Sequence, residues 1–346
     1  MDATHSKQPL YRPTASANIP RLIVVGASVG GVAALSTMAA SLPADFPAPV
    51  LMVLHTGSHP SVLPELLAAR GALPAHHPVD GEPIENGHIY VAPPDHHMLV
   101  EGAHVRLNRG PKEHHTRPAV DPLFLSAALS YGPAVVGVVL TGTLDDGTAG
   151  LQAIKACGGL ALVQDPSDAL EPGMPSSAMK YVEVDHCLPL AQIGGLLSSL
   201  ASVPVLSSRP AVDSARHARL AHELRLATAE GDFMEHLEAI AQPSAFACPD
   251  CKGGLWQLDG ATPVRYRCHT GHAFTLNTLQ HALTETMDEA LWGAVRALQE
   301  QTVLLGMMSL VHRREGEEGE ALKIEAIRSG LDTQARRLRE LVEKSN

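Results

Sequence analysis

The chain is poor in three things, and each shortage weighs against a class of function. Cysteine is scarce: Cys157, Cys187, Cys248, Cys251 and Cys268 are the five in 346 residues, an odd and unevenly spread set. Secreted domains stapled by disulfides carry paired, dense cysteines, so a reducing cytoplasmic setting is expected. Positive charge is short as well. Lysine and arginine number 26 against 37 acidic residues, a formal charge of −11, whereas a protein that tracks a phosphate backbone needs a basic face. Nucleic acid is not expected as a partner. Unbroken apolar runs are also missing. The uncharged stretches 22–42 and 187–208 approach the length of a bilayer span, about 20 residues. Gly26, Gly30 and Gly31 interrupt the first, and Pro189, Gly194, Gly195 and Pro204 the second. No membrane insertion is expected. The first 21 residues hold an acid, three prolines and no compact basic region, which does not suit a signal peptide.

What is present describes a globular protein: 45% hydrophobic and 18% charged residues, enough chain for one large domain and a smaller module at about 100–200 residues per domain. Short apolar runs at 21–26, 50–54, 88–91, 135–140 and 160–164 alternate with helical patterns at 32–41, 62–69, 122–131 and 148–156. Continuous apolar strands separated by helices predict an α/β domain, a doubly wound and mostly parallel sheet with helices on both faces. It is expected over 21–202, after a flexible tail at 1–20, with an irregular hairpin-and-loop insert at 76–118. A linker with an amphipathic helix (203–245), a cysteine module (246–280) and a helical hairpin or coiled-coil tail (281–346) follow. In the tail Ile324, Ile327, Leu331, Leu338 and Leu341 form an apolar stripe, suited to packing within a hairpin or to a partner helix.

The stretch "GASVGG" at 26–31 satisfies G-x-S-x-G, in which glycines let a strand-to-helix bend present a serine hydroxyl. Two other readings compete. A glycine-rich dinucleotide loop needs glycine where Ser28 stands, and small residues also serve close strand–helix packing. A serine needs a base, and the base needs an acid to hold its tautomer. In a doubly wound sheet both belong where neighbouring strands end. His55 ends the second strand, and Asp145 and Asp146 lie in the turn after a later one. The order Ser, His, Asp differs from the Ser, Asp, His of α/β-hydrolases.

Six blocks carry a resemblance: "IVVGASVGG", "LHTGSHPS", "IYVAPPDHHM", "AVDPLFLSAA", "VVLTGTLDDGTAG" and "EPGMPSSA". In this order, across residues 21 to about 200, they resemble the catalytic domain of the chemotaxis protein-glutamate methylesterases, the CheB type. The resemblance implies Ser28 as nucleophile, His55 as base and Asp146, which directly precedes the turn's glycine, as the aspartate. It further implies hydrolysis of γ-glutamyl methyl esters on chemoreceptors with release of methanol, and deamidation of receptor glutamines as a sister activity. Val29, Leu54, Thr56-Gly57 and Thr143-Leu144 stand where the family commonly has Thr, Gln, Met-Pro and Met-Gly. Val29, Thr143, Gly173 and Met174 are candidates for the oxyanion or substrate environment. Phosphorylated family members carry an N-terminal receiver domain, so phosphoaspartate control from within this chain is not expected. The rival reading is a non-catalytic signalling scaffold on a drifted methylesterase domain, its helical tail recruiting partners.

"CPDC" at 248–251 and "CHTGH" at 268–272 are separated by 16 residues. Zinc takes four soft or borderline ligands in a tetrahedron, and ligand pairs on knuckle turns supply that shape. Cys248, Cys251, Cys268 and His272 are the expected set, with His269 less well placed. A closed set predicts a structural zinc ribbon, similar to the cysteine-rich tails of some receiver-less methylesterase-like proteins; a redox CxxC pair is the alternative. No cofactor is expected for catalysis. The module is expected to unfold first on chelation and to leave a 1–202 fragment active. The pairs His76-His77, His96-His97 and His114-His115 are assigned to loops and surface, with His96 and His97 near the rim of the site.

Overall fold

The computed structural model describes residues 20–203, 205 and 214–345. The expected tail up to residue 19, Pro204 and linker residues 206–213 lie outside them. The chain builds β1 (Leu22–Ala27), α1 (Gly31–Ala40), β2 (Val50–Leu54), α2 (Leu63–Arg70), β3 (Ala75–His76) and β4 (Ile89–Val91). After these come the hairpin β5 (His97–Glu101) and β6 (His104–Asn108), then α3 (Val120–Tyr131), β7 (Val135–Val139), α4 (Thr148–Ala156), β8 (Leu160–Gln164), α5 (Gly173–Tyr181), β9 (His186–Leu188) and α6 (Leu190–Ala201).

Seven strands form one parallel sheet in the order β3-β4-β2-β1-β7-β8-β9. β1, β2 and β7 are buried along their whole length, because a central parallel strand is covered on both faces. Alternate residues feed opposite cores. Leu22, Val24, Leu51 and Val135 pack with Phe124 of α3, Leu151 of α4 and Met174 of α5. Ile23, Val25, Met52 and Val136 pack with Leu35 of α1, Leu67 of α2 and Ile193 of α6. Each such buried side chain contributes about 1.5–3 kcal/mol. The chain winds outward from β1 through β2, then returns to β7 on the other side, so strand order reverses at β1.

Helices α5 and α6 were not foreseen. Glycine and proline interrupt 187–208 in sequence, yet Gly194 is what lets α6 approach α1: a Cβ there would fall 1.8 Å from Ser41 Oγ.

The expected linker contains α7 (Ser214–Thr228), which buries Leu220 in the α3 core, and α8 (Phe233–Glu238). An antiparallel sheet follows, of β10 (Ala241–Ala247), β11 (Gly254–Leu258), β12 (Arg265–Cys268) and β13 (Ala273–Thr275). It therefore begins five residues before the expected boundary at 246. All of this lies in one compact unit that runs through Leu279. The second unit starts at Gln280 and is helical, with most of α9 (Leu276–Arg314) and all of α10 (Glu318–Ser345). No described helix is long and apolar enough to cross a membrane.

Candidate active site and metal centre

The carboxyl edge of a doubly wound sheet, at the point of strand-order reversal, is where such folds place their sites. β1 ends there in Ser28, β2 in His55, and the turn after β7 carries Asp146. Gly30, at φ +80°, allows the left-handed step from strand to helix that L side chains disfavour, and Ser28 is left at the mouth of α1. The Ser28 N–H donates to the Thr141 carbonyl at 2.9 Å, and the His55 N–H to the Ala27 carbonyl at 3.3 Å. Both backbones are thus tied to neighbouring strands.

His55 bridges the other two residues. Its Nδ1 lies 3.1 Å from Ser28 Oγ and its Nε2 2.7 Å from Asp146 Oδ2. An Nε2–H donated to the carboxylate leaves the Nδ1 lone pair to accept the serine proton. In the serine-protease template the two nitrogens have the opposite partners. Asp146 is deeply buried but amply satisfied: the N–H groups of Val120 (2.7 Å), Asp121 (3.0 Å) and Gly147 (2.8 Å) also donate to it. Two of these open α3, whose N-terminus favours an anion. Burial alone pushes this carboxyl up; the His114 cation, His55 and the Val120 N–H outweigh it and hold Asp146 well below the usual carboxylate range.

Among the candidate lining residues, Val29 is 47% exposed beside Ser28 and Thr143 is exposed on the aspartate turn. Met174 is fully buried; its N–H donates to the Gly142 carbonyl at 2.8 Å. Gly173 packs against the backbone of Gly142 to Leu144. These two support the turn from beneath.

Two histidine assignments need correction. His114, expected at the surface, is buried with Nε2 at 3.1 Å from Asp121 and 3.7 Å from Asp146, and Nδ1 at 3.9 Å from Asp145. Burial opposes its charge, but Asp146, Asp121 and Asp145 prevail and raise its pKa to about 10. Its charged form is thus favoured, behind Asp146. His97, expected near the rim, is likewise buried; its Nδ1 accepts from the Ala119 N–H at 3.3 Å, and Nε2 meets the Pro111 carbonyl at 2.9 Å. His76 closes strand β3 and pairs with Glu82, and His77 follows it and meets the Val91 carbonyl. The charge on His114 had no local sequence signal, because its carboxylates come from 7 to 32 positions away (121 − 114 and 146 − 114).

The cysteine module brings its four expected ligands together. The Sγ atoms of Cys248, Cys251 and Cys268 and Nδ1 of His272 all lie within 4.8 Å of one another. Cys251–Cys268 is 3.6 Å, Cys248–His272 3.7 Å and Cys268–His272 3.5 Å. With zinc–sulfur bonds of about 2.3 Å and zinc–nitrogen bonds of about 2.0 Å, the edges of a tetrahedron are about 3.5–3.8 Å, so the donor set fits. Two tight turns hold it: Lys252 N–H donates to the Cys248 carbonyl at 2.9 Å and Gly271 N–H to the Cys268 carbonyl at 2.9 Å. His269 points elsewhere, onto Gly253.

A serine, a histidine and a buried aspartate thus meet at the reversal point of a doubly wound α/β sheet. The chain belongs to the CheB methylesterase family, whose sequence model matches residues 23–197. It is similar to the protein-glutamate methylesterase/protein-glutamine glutaminase 4 of Geobacter metallireducens, 40% identical over 185 residues, 52% of this chain and 53% of that protein. A putative protein of the same name from Leptospira interrogans is 36% identical over 184 residues, 51% of this chain and 93% of that one. Among solved structures, the Thermotoga maritima CheB methylesterase catalytic domain matches with a TM-score of 0.51 and 32% identity, covering 53% of this chain and 99% of that one. The match to several curated relatives, the Geobacter protein among them, spans about half their length.

Proposed function

We propose that the chain hydrolyses glutamyl methyl esters on chemoreceptor-type proteins in chemotaxis or related signalling, in the cytoplasm, with Ser28, His55 and Asp146 as its triad. The observation that carries this is His55 reaching Ser28 Oγ and Asp146 with its two ring nitrogens. Ser28 Oγ attacks the ester carbonyl as His55 Nδ1 takes its proton, and the N-terminal end of α1, which begins at Gly31 three residues after Ser28, favours the negative charge that develops. Methanol leaves with that proton, a glutamyl ester of Ser28 remains, and water hydrolyses it by the reverse proton route. Asp146 holds the tautomer and stabilises the imidazolium. Deamidation of receptor glutamine uses the same residues, with ammonia as the leaving group. The substrate follows from the names of the relatives.

Zinc in the set Cys248, Cys251, Cys268 and His272 belongs to the same proposal. Bound there it supplies folding free energy to the module and no reacting group to the hydrolysis. In the helical unit Val303, Leu304, Met307, Leu310 and Val311 are exposed, which supports a partner-docking role for the tail. The test is methanol release from methylated receptor. Ser28→Ala is expected to abolish it while the fold persists; undiminished release would remove the assignment.

A further inference from the structure

Asp145 stands one residue before the triad aspartate, and its side chain is 1% exposed. A carboxylate removed from water needs donors, and Asp145 takes them from the cysteine module. Thr275 Oγ1 lies 2.7 and 2.9 Å from its two oxygens, and Asn277 Nδ2 donates at 3.3 Å. Thr275 ends β13, three positions after His272 of the ligand set.

β13 is also joined sideways to the catalytic domain. The Ala273 N–H donates to the Lys112 carbonyl at 3.3 Å, and the His114 N–H donates to the Ala273 carbonyl at 2.9 Å. Between them Glu113 pairs with the buried Arg267 of β12 at 2.7 Å, and the same guanidinium donates to the Gly271 carbonyl inside the knuckle at 3.0 Å. The two adjacent histidines then reach opposite ways. His114 sits against Asp121, Asp145 and Asp146, with Nδ1 at 3.4 Å from Thr278 Oγ1. His115 Nδ1 meets Asp250 at 2.8 Å, and the other oxygen of Asp250 lies 3.9 Å from Nε2 of His272. One loop thus links the aspartate turn to the shell around the ligand set.

We propose that the cysteine module is a positioning device for the catalytic aspartate: closing its four ligands on a metal ion fixes the β12–β13 turn, and Thr275 then holds the Asp145–Gly147 turn, with His114, where Asp146 can orient His55. This rests on the serine hydrolase reading above and adds to it a dependence of that chemistry on the module. Thr275 touches neither substrate nor reacting atoms; it is a positioning residue. Removing the metal leaves the turn between Cys268 and His272 without the closure that fixes its angle, and a triad displaced by about 1 Å loses up to about 100-fold in rate.

The test uses the full chain as zinc-loaded wild type, wild type stripped with chelator and reloaded with zinc(II), Thr275→Val and Thr275→Ser. Four quantities are read: zinc content, the rate at which a serine-directed phosphonate labels Ser28, kcat and KM on methylated receptor, and amide hydrogen exchange over 141–148. Thr275→Val is expected to keep its zinc yet label about 10- to 100-fold more slowly, with kcat lowered, KM unmoved and exchange faster over the turn. Thr275→Ser, which keeps the hydroxyl, restores the rate; stripping reproduces the loss and reloading reverses it. Wild-type labelling in both Thr275→Val and the stripped chain overturns the proposal. Should Thr275→Val fail to fold, the stripped wild type decides alone, and unchanged labelling there overturns it equally. A zinc-loaded wild type that never labels removes the hydrolase reading instead, a separate outcome.

Discussion

His114 offers the sharpest test of how the site is held together electrostatically. His114→Asn removes the cation and keeps a residue that tolerates the φ of +52° found there. Nε2 lies 3.7 Å from an Asp146 oxygen, where a unit charge pair at an effective dielectric of about 20 is worth roughly 4 kcal/mol. Linkage provides a second route: a pKa raised from 6.5 to about 10 in the folded state corresponds to roughly 5 kcal/mol. The two agree in order of magnitude with the loss of about 3–5 kcal/mol that follows removal of one partner from a buried ionic cluster. The sign follows from the direction of the shift. A raised pKa contributes fully below pH 6.5 and is lost as pH rises through about 10. Urea unfolding of wild type and His114→Asn should therefore differ most at pH 6, less at pH 8, and converge above pH 10. Equal midpoints at pH 6, or a gap that persists above pH 10, would refute the imidazolium assignment.

Four further outcomes follow from packing, ligation and truncation. In Gly142→Ala the new methyl would lie 2.2 Å from Met174 Sδ and 2.9 Å from Ser28 Cβ, so a thermal shift assay should record about 1–3 kcal/mol of lost stability and Ser28 should label more slowly. Phe124→Ala empties a fully buried position in the α3 core and should lower the unfolding free energy in urea by about 3–5 kcal/mol, with zinc content unchanged. Cys251→Ser should abolish stoichiometric zinc in protein purified without chelator, read by metal analysis. A 1–202 fragment, expected from sequence to keep esterase activity in chelator where substrate is supplied at high concentration, lacks Thr275, Asn277 and Arg267 and so leaves Asp145 and Glu113 without these partners; its Ser28 should label more slowly than that of the full chain.

The parallel sheet was legible because β1, β2 and β7 are buried on both faces, which writes them as unbroken apolar runs in the sequence. Ser28, His55 and Asp146 were legible for a related reason. Ser28 and His55 directly follow β1 and β2, and Asp146 lies in the turn after β7, so a correct list of strands puts all three at one edge once the order is guessed. The grouping of Cys248, Cys251, Cys268 and His272 was equally open, since each pair has local spacing. What escaped was long-range. Thr275 meets Asp145 across 130 positions and Arg267 meets Glu113 across 154, and nothing at either end signals the other. His114 and His115 form an unremarkable polar pair in sequence. Only the fold supplies the carboxylates that charge the first and the Asp250 that holds the second. Helix α6 was missed because its glycines were read as interruptions, whereas Gly194 is what close packing against the end of α1 requires.

The account turns on whether His55 activates Ser28, and labelling by a serine-directed phosphonate measures this without knowledge of the natural substrate. Wild type should be modified at Ser28, as located by peptide mass, and Ser28→Ala should not be modified. His55→Ala, which removes the base, should label about 10²- to 10⁴-fold more slowly, and Asp146→Asn should also be slowed because the tautomer is no longer held. An inert Ser28 in the wild type, or a labelling rate indifferent to His55, would contradict the account and favour a non-catalytic scaffold on the same fold.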